Sequence, residues 1–130
     1  MNLVSRRALA RYGADELLSG KSARTLAKEL VSVLSHSRRT DDFNLLIADI
    51  NYELERRGKI ADTTVRTATE LSAKLKTEIT ALVKKSTSVE RVNLNEEIDK
   101  SVIGGVRIET ATRVWDRTLA SQLQKLKEIF

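Results

Sequence analysis

A chain of 130 residues can bury one good core, or two small ones of about 60 residues each. Its 41% hydrophobic and 32% charged residues contain no run of about 18 apolar residues, and its lack of cysteine excludes disulfides, thiolate metal sites and thiol nucleophiles together, as in a reducing compartment. The net charge of +5 is spread rather than clustered: residues 1–62 carry 11 basic against 9 acidic side chains and residues 63–130 carry 12 against 9, a salt-laced surface without a one-sided basic footprint.

Arg6, Arg7 and Arg11 precede the first acid, Asp15, as in an organellar transit peptide, but the stretch runs straight into helical pattern and is read as helix. Over Ser5–Leu18 the pattern is weak, with Leu9, Tyr12 and Leu17 apolar and Gly13 in the middle; that glycine costs about 1 kcal/mol against alanine, so the helix must lean on neighbours. Ser19-Gly20 closes it. Ser22 caps a clearer helix with Ala23, Leu26, Ala27, Leu30, Val33 and Leu34 on one stripe. Ser35–Arg39 reads as a polar connector, with Thr40 as the next N-cap and Asp41 and Asp42 in the first turn. Phe43, Leu46, Ile47, Ile50 and Leu54 form the third stripe, and Arg56, Arg57 and Gly58 are a C-terminal stop signal.

After Lys59 the period changes. Thr64–Thr69 suits a strand, and Ser72 caps a helix with Leu75, Ile79, Leu82 and Val83 inward, broken at Ser86-Thr87-Ser88. Val92, Leu94 and Ile98 alternate as a half-buried strand in which Glu96 either faces solvent at a sheet edge or marks a bulge. Gly104-Gly105 then acts as a pivot into a second strand, Val106–Ile108, giving the pair a hairpin-like look. Ala111-Thr112 is a turn without the usual glycine or asparagine, and Arg113–Trp115 extends or returns the strand. Asp116 or Thr118 caps a last helix striped by Leu119, Leu123, Leu126 and Phe130. The fold class is therefore α+β: a small three-helix bundle over residues 1–60, then a strand-helix-strand-strand-helix module over 63–130.

No catalytic constellation emerges. His36 has no partner at ligand spacing, and the adjacent acids Asp41/Asp42 and Glu96/Glu97 diverge on a helix or strand. The double glycine matches neither the Rossmann fingerprint, nor the P-loop, nor an RNA-clamping Gly-x-x-Gly. Aromatics at 4% leave little stacking surface for single-stranded nucleic acid, and Trp115 reads as a core or interface anchor. The residues alone imply a binding or structural protein without metal or cofactor.

Residues 64–130 resemble the delta subunit of F-type ATP synthases, the oligomycin-sensitivity-conferring protein of mitochondria. The shared order is the strand Val92-Asn93-Leu94, then Ile98, Asp99, two variable residues, an aliphatic pair ending in Ile103, Gly104, Gly105, and Val106-Arg107-Ile108, followed by Val114, Trp115, Asp116 and a leucine-striped helix. Lys100 stands where proline is common, Glu96 where an aliphatic is expected and Arg117 where a glycine usually follows the aspartate. The family's amino-terminal domain is a six-helix bundle, here shortened to about three helices. The resemblance implies a non-enzymatic peripheral-stalk (stator) subunit at the cytoplasmic face of a bacterial membrane, its amino-terminal helices meeting the alpha subunits and its carboxyl-terminal domain the end of b. Ile98, Asp99, Ile103, Gly104, Gly105, Val106, Ile108, Trp115 and Asp116 are then structural motif residues. The competing reading from another class is a small basic α/β nucleic-acid-binding module.

Overall fold

The computed structural model describes residues 4–102 and 104–117 and is mixed α and β, in two compact units that divide between Arg57 and Gly58. The first holds α1 (Arg6–Leu18), α2 (Ala23–His36), a 3₁₀ turn (Thr40–Asp42) and α3 (Phe43–Arg56). Ser5 and Ser22 open α1 and α2, their Oγ atoms accepting the N–H groups of Ala8 at 3.1 Å and Thr25 at 3.2 Å. The turn after α1 is a full Schellman closure, with Gly20 N–H on the Leu17 carbonyl and Lys21 N–H on that of Glu16.

The expected polar connector at Ser35–Arg39 is instead the end of α2. Ser37 donates to the Val33 carbonyl at 2.7 Å, and Arg38 takes the left-handed conformation (φ +56°) that closes this second Schellman turn. Nor is Thr40 an N-cap. It opens the 3₁₀ turn, α3 begins at Phe43, and no side chain caps that end.

The buried faces also shift. α1 buries Leu9, Ala10, Gly13 and Ala14 rather than Tyr12 and Leu17, and at Gly13 α3 lies too close for a side chain. A Cβ on Gly13 would stand 2.7 Å from Ile50 Cδ1. Val33 and Ile47, expected inside, are exposed, while Leu26, Leu30, Leu34, Leu46, Ile50 and Leu54 are buried as their stripes predict.

The second unit is a four-stranded sheet in the order β2-β1-β3-β4, with β1 at Ile60–Thr67, β2 at Arg91–Ile98, β3 at Val106–Glu109 and β4 at Val114–Asp116. β1 starts four residues before the expected Thr64 and alternates strictly, with Ala61, Thr63, Val65 and Thr67 buried. Thr63 and Thr67 satisfy their hydroxyls on the carbonyls of Ala61 and Thr69, so the buried face tolerates them. α4 (Ala73–Thr87), capped by Ser72, connects β1 to the parallel β2 and packs Ile79 and Val83 into a core of Ala61, Val65, Leu71, Val89 and Ile108.

The double-glycine pair is not a hairpin. β3 runs antiparallel to β1 on the side away from β2, so the connection after Ile98 must pass the end of β1. Gly104 and Gly105 lie in that connection rather than inside a strand, at φ +56° and +106°. Arg113–Trp115 returns: β4 pairs antiparallel with β3. The expected terminal helix, with Thr118, Leu119, Leu123, Leu126 and Phe130, and the motif residue Ile103 lie outside the described residues.

Candidate docking surfaces

The described motif residues fall at one end of the sheet. Asp99, just past β2, donates its N–H to the Thr67 carbonyl at 2.8 Å, tying the connection to β1. Its carboxylate accepts from the hydroxyl and the N–H of Ser101, at 2.6 and 3.0 Å, and these bonds hold its pKa below the usual value. The Val102 N–H returns to the Asp99 carbonyl and completes a turn. Val106, Ile108 and Trp115 face the core, Ile108 fully buried and the others partly. Ile98 shares that face but stands 61% exposed at the edge.

Asp116 has a role that its place in the motif does not reveal. The register sets Glu97, Arg66, Arg107 and Asp116 side by side across all four strands, on the face away from α4. Arg66 binds Glu97 at 2.8 Å and Arg107 reaches Asp116 at 3.4 Å. The two arginines oppose each other directly, and Glu109 lies between them, accepting from Arg66 at 3.3 Å and from Arg107 at 2.7 Å. Arg66, Glu97, Arg107 and Glu109 escaped sequence reasoning as a group; only their alternation out of phase with the core residues hints at a shared face.

Glu96, at an apolar phase of β2, needs no bulge. It stays in register and pairs with Lys76 of α4 at 2.8 Å. Glu96 and Glu97 thus answer different cations on opposite faces. Neither Asp41/Asp42 nor His36 joins a cluster: His36 sits exposed at the end of α2, its Nδ1 on the Ser32 carbonyl at 2.8 Å, and no group of three His, Asp or Glu among the described residues is placed to hold a metal ion. Among these residues no helix is long and apolar enough to cross a membrane.

Concavities open on the helical unit. One, of about 600 Å³, lies between α1 and α3, with Arg6 and Arg7 on one wall, Asp49 and Glu53 on the other, and Tyr52 exposed beside them. The Arg6–Asp49 bond at 2.5 Å crosses it. The second, of about 170 Å³, is apolar, lined by Leu17, Ala27, Leu30, Ile47 and Ile50, with Ile47 exposed at its rim. At the end of α3, Glu53 is nearly buried and accepts from Arg56 at 3.0 Å and Arg57 at 3.3 Å, while Arg57 binds Asp15 of α1 at 2.6 Å. Arg56 above all holds the Glu53 carboxyl below the usual range against the opposing effect of burial. Lys21 similarly ties Glu16 to Glu29, whose other oxygen accepts from Tyr12.

Comparison with known proteins is consistent along the chain. The family described as ATP synthase delta (OSCP) subunit matches residues 8–130. The ATP synthase subunit delta of Streptococcus mutans serotype c is 34% identical over 107 residues, 82% of this chain and 60% of that protein. That of Lysinibacillus sphaericus is 29% identical over 113 residues, 86% of this chain and 62% of the relative. The chain therefore spans about 60% of the length of these relatives. Among solved structures, a chain of the Toxoplasma gondii mitochondrial ATP synthase hexamer superposes with a TM-score of 0.61 at 18% identity, over 96% of this chain and 69% of that one, a likeness of fold.

Proposed function

The chain belongs to the ATP synthase delta (OSCP) subunit family, and from that membership we propose that it is a non-catalytic peripheral-stalk (stator) subunit of a rotary F-type ATP synthase, linking the catalytic head to the b-subunit stalk. The observation that carries the reading is the extent of the match, which runs from residue 8 through the helical unit and the sheet rather than stopping at the glycine-centred stretch. In this reading residues 1–60 are a shortened three-helix bundle that meets the alpha subunits, its apolar concavity suited to the apolar face of a helix. Residues 63–130 form the small α/β domain that meets the end of b. Ile98, Asp99, Ile103, Gly104, Gly105, Val106, Ile108, Trp115 and Asp116 shape that domain rather than react. The subunit lies at the cytoplasmic face of the bacterial membrane through the complex alone and carries no cofactor.

The sheet favours this role over nucleic-acid binding. Its arginines Arg66 and Arg107 are paired with Glu97, Glu109 and Asp116, so this cluster on the face away from α4 is balanced rather than basic. The test is affinity purification of the tagged chain from detergent-solubilised membranes at moderate salt. Stable recovery of alpha and b supports the reading, and recovery of neither overturns it.

A further inference from the structure

The apolar concavity of the helical unit is lined by Ala23 and Ala27 from α2 and by Ile47 and Asn51 from α3. Spacings of 4 and 3 put Arg24, Lys28 and Val31 on the next stripe of α2, beside Ala23 and Ala27 and away from the buried leucines. Val31, one turn beyond Ala27, is 44% exposed, and Ile47 on the facing helix 37%. Two β-branched side chains thus stand in water beside a hollow that is itself apolar.

The two walls differ in charge. Arg24 and Lys28 are exposed, and among the described residues neither meets a carboxylate. Glu29, the one acid of α2, turns to the opposite side, where it binds Lys21 and Tyr12. On α3, Asn44, Ile47 and Asn51 carry no charge, and Glu55, one turn further, is buried. One wall is therefore basic and the other neutral. This chain's own leucine-striped segment, residues 118–130, carries Lys125 and Lys127 against Glu128, the wrong sign for such a wall. We infer that the groove between α2 and α3 takes an amphipathic helix from a partner protein, with its apolar stripe over Val31 and Ile47 and a row of acidic side chains along Arg24 and Lys28. Apolar anchors at helical spacing would supply affinity, and the unpaired cations the orientation, since acids on the other flank would meet only asparagine. For the owner of that helix, an alpha subunit, the inference rests on the stalk reading; its chemistry comes from the groove.

The test uses the full chain and two labelled peptides of about eighteen residues, long enough to hold a helix. Both carry the same leucine stripe, flanked by glutamate in one and by lysine in the other. By fluorescence anisotropy at about 0.1 M salt, the glutamate peptide should bind at least tenfold tighter. Amide shifts on binding should gather on Ala27, Val31, Ile47 and Asn51. Arg24→Glu combined with Lys28→Glu alters only exposed positions and should reverse the preference. Ile47→Asp should weaken both peptides at least tenfold. Binding of neither peptide at millimolar concentration overturns the inference, as do equal binding of the two, an unchanged preference after the charge reversal, or shifts gathered on Arg7 and Tyr52 instead. Self-association of the chain that Ile47→Asp abolishes would give the groove to a second copy and also overturn it. Purification from membranes separates the two readings. If the charge-reversed chain recovers alpha as well as the wild type does, the groove inference alone falls. If the wild type recovers neither alpha nor b, the stalk reading falls, and the peptide preference still decides the groove.

Discussion

At Gly13 helix propensity and packing pull in opposite directions. Alanine would gain about 1 kcal/mol of propensity, but its Cβ would meet Ile50 Cδ1 at 2.7 Å and Cγ1 at 3.0 Å, so the buried Ile50 side chain would have to leave its present packing. Overpacking of that kind costs about 1–3 kcal/mol. Gly13→Ala should therefore destabilise the protein by up to about 2 kcal/mol in urea unfolding. Combining it with Ile50→Val, which removes Cδ1, should recover at least about 1 kcal/mol relative to additivity. Arg38 is the reverse case, a bulky residue at φ +56° where glycine is at ease, and Arg38→Gly should stabilise by about 1 kcal/mol. Glu53 gives the pH dependence its sign. Its folded pKa is depressed, so its contribution is complete above the unfolded value, near 4.5, and is lost as pH falls through the folded one. Wild-type stability should drop on acidification from about pH 5 towards pH 3, and Glu53→Gln, less stable at neutral pH, should show a flatter profile.

Elements were legible where a period or cap announced them. Ser22 and Ser72 start their helices as the sequence implies, and the leucine stripes of α2 and α3 bury their leucines. The face of α1 was not legible, because Ala10, Gly13 and Ala14 signal no apolar stripe although closeness to α3 makes them the buried set. The turn before β4 was half legible. It does without glycine because the Thr110 hydroxyl accepts the N–H groups of Thr112 and Arg113, at 3.3 and 3.1 Å, a local solution that composition conceals. Across the strands, Glu109 separates two facing arginines. Glu109→Gln should cost about 1 kcal/mol at low salt, and the loss should shrink towards zero near 1 M salt as the Arg66–Arg107 repulsion is screened.

At the scale of the whole molecule, α+β was readable from the change of period near Lys59, while strand order was not. Periodicity says which face of a strand is buried but not which strand lies beside it, so β2 and β3, adjacent in sequence, looked paired although β1 separates them. The charge of +5 was readable but not its disposition, since Arg57, Arg66 and Arg107 each find acids distant in sequence. Retention on double-stranded DNA should accordingly vanish by about 0.15 M salt, measured by fluorescence anisotropy across a salt series, whereas a true binder with 6–10 phosphate contacts would hold on further.

The central place of β1 also has a consequence in time. Its neighbours arrive late: Ile60 waits for Arg91, and Thr67 for Val106, about forty residues downstream. At the usual 5–20 residues per second of synthesis, roughly a few seconds pass in which β1 has emerged with both sides open. Over that interval its buried row of Ala61, Thr63, Val65 and Thr67 is half hydroxyl. Two threonines in place of valines keep the strand from being a strongly adhesive ribbon while it waits, at little cost once Ala61 and Thr69 accept their protons.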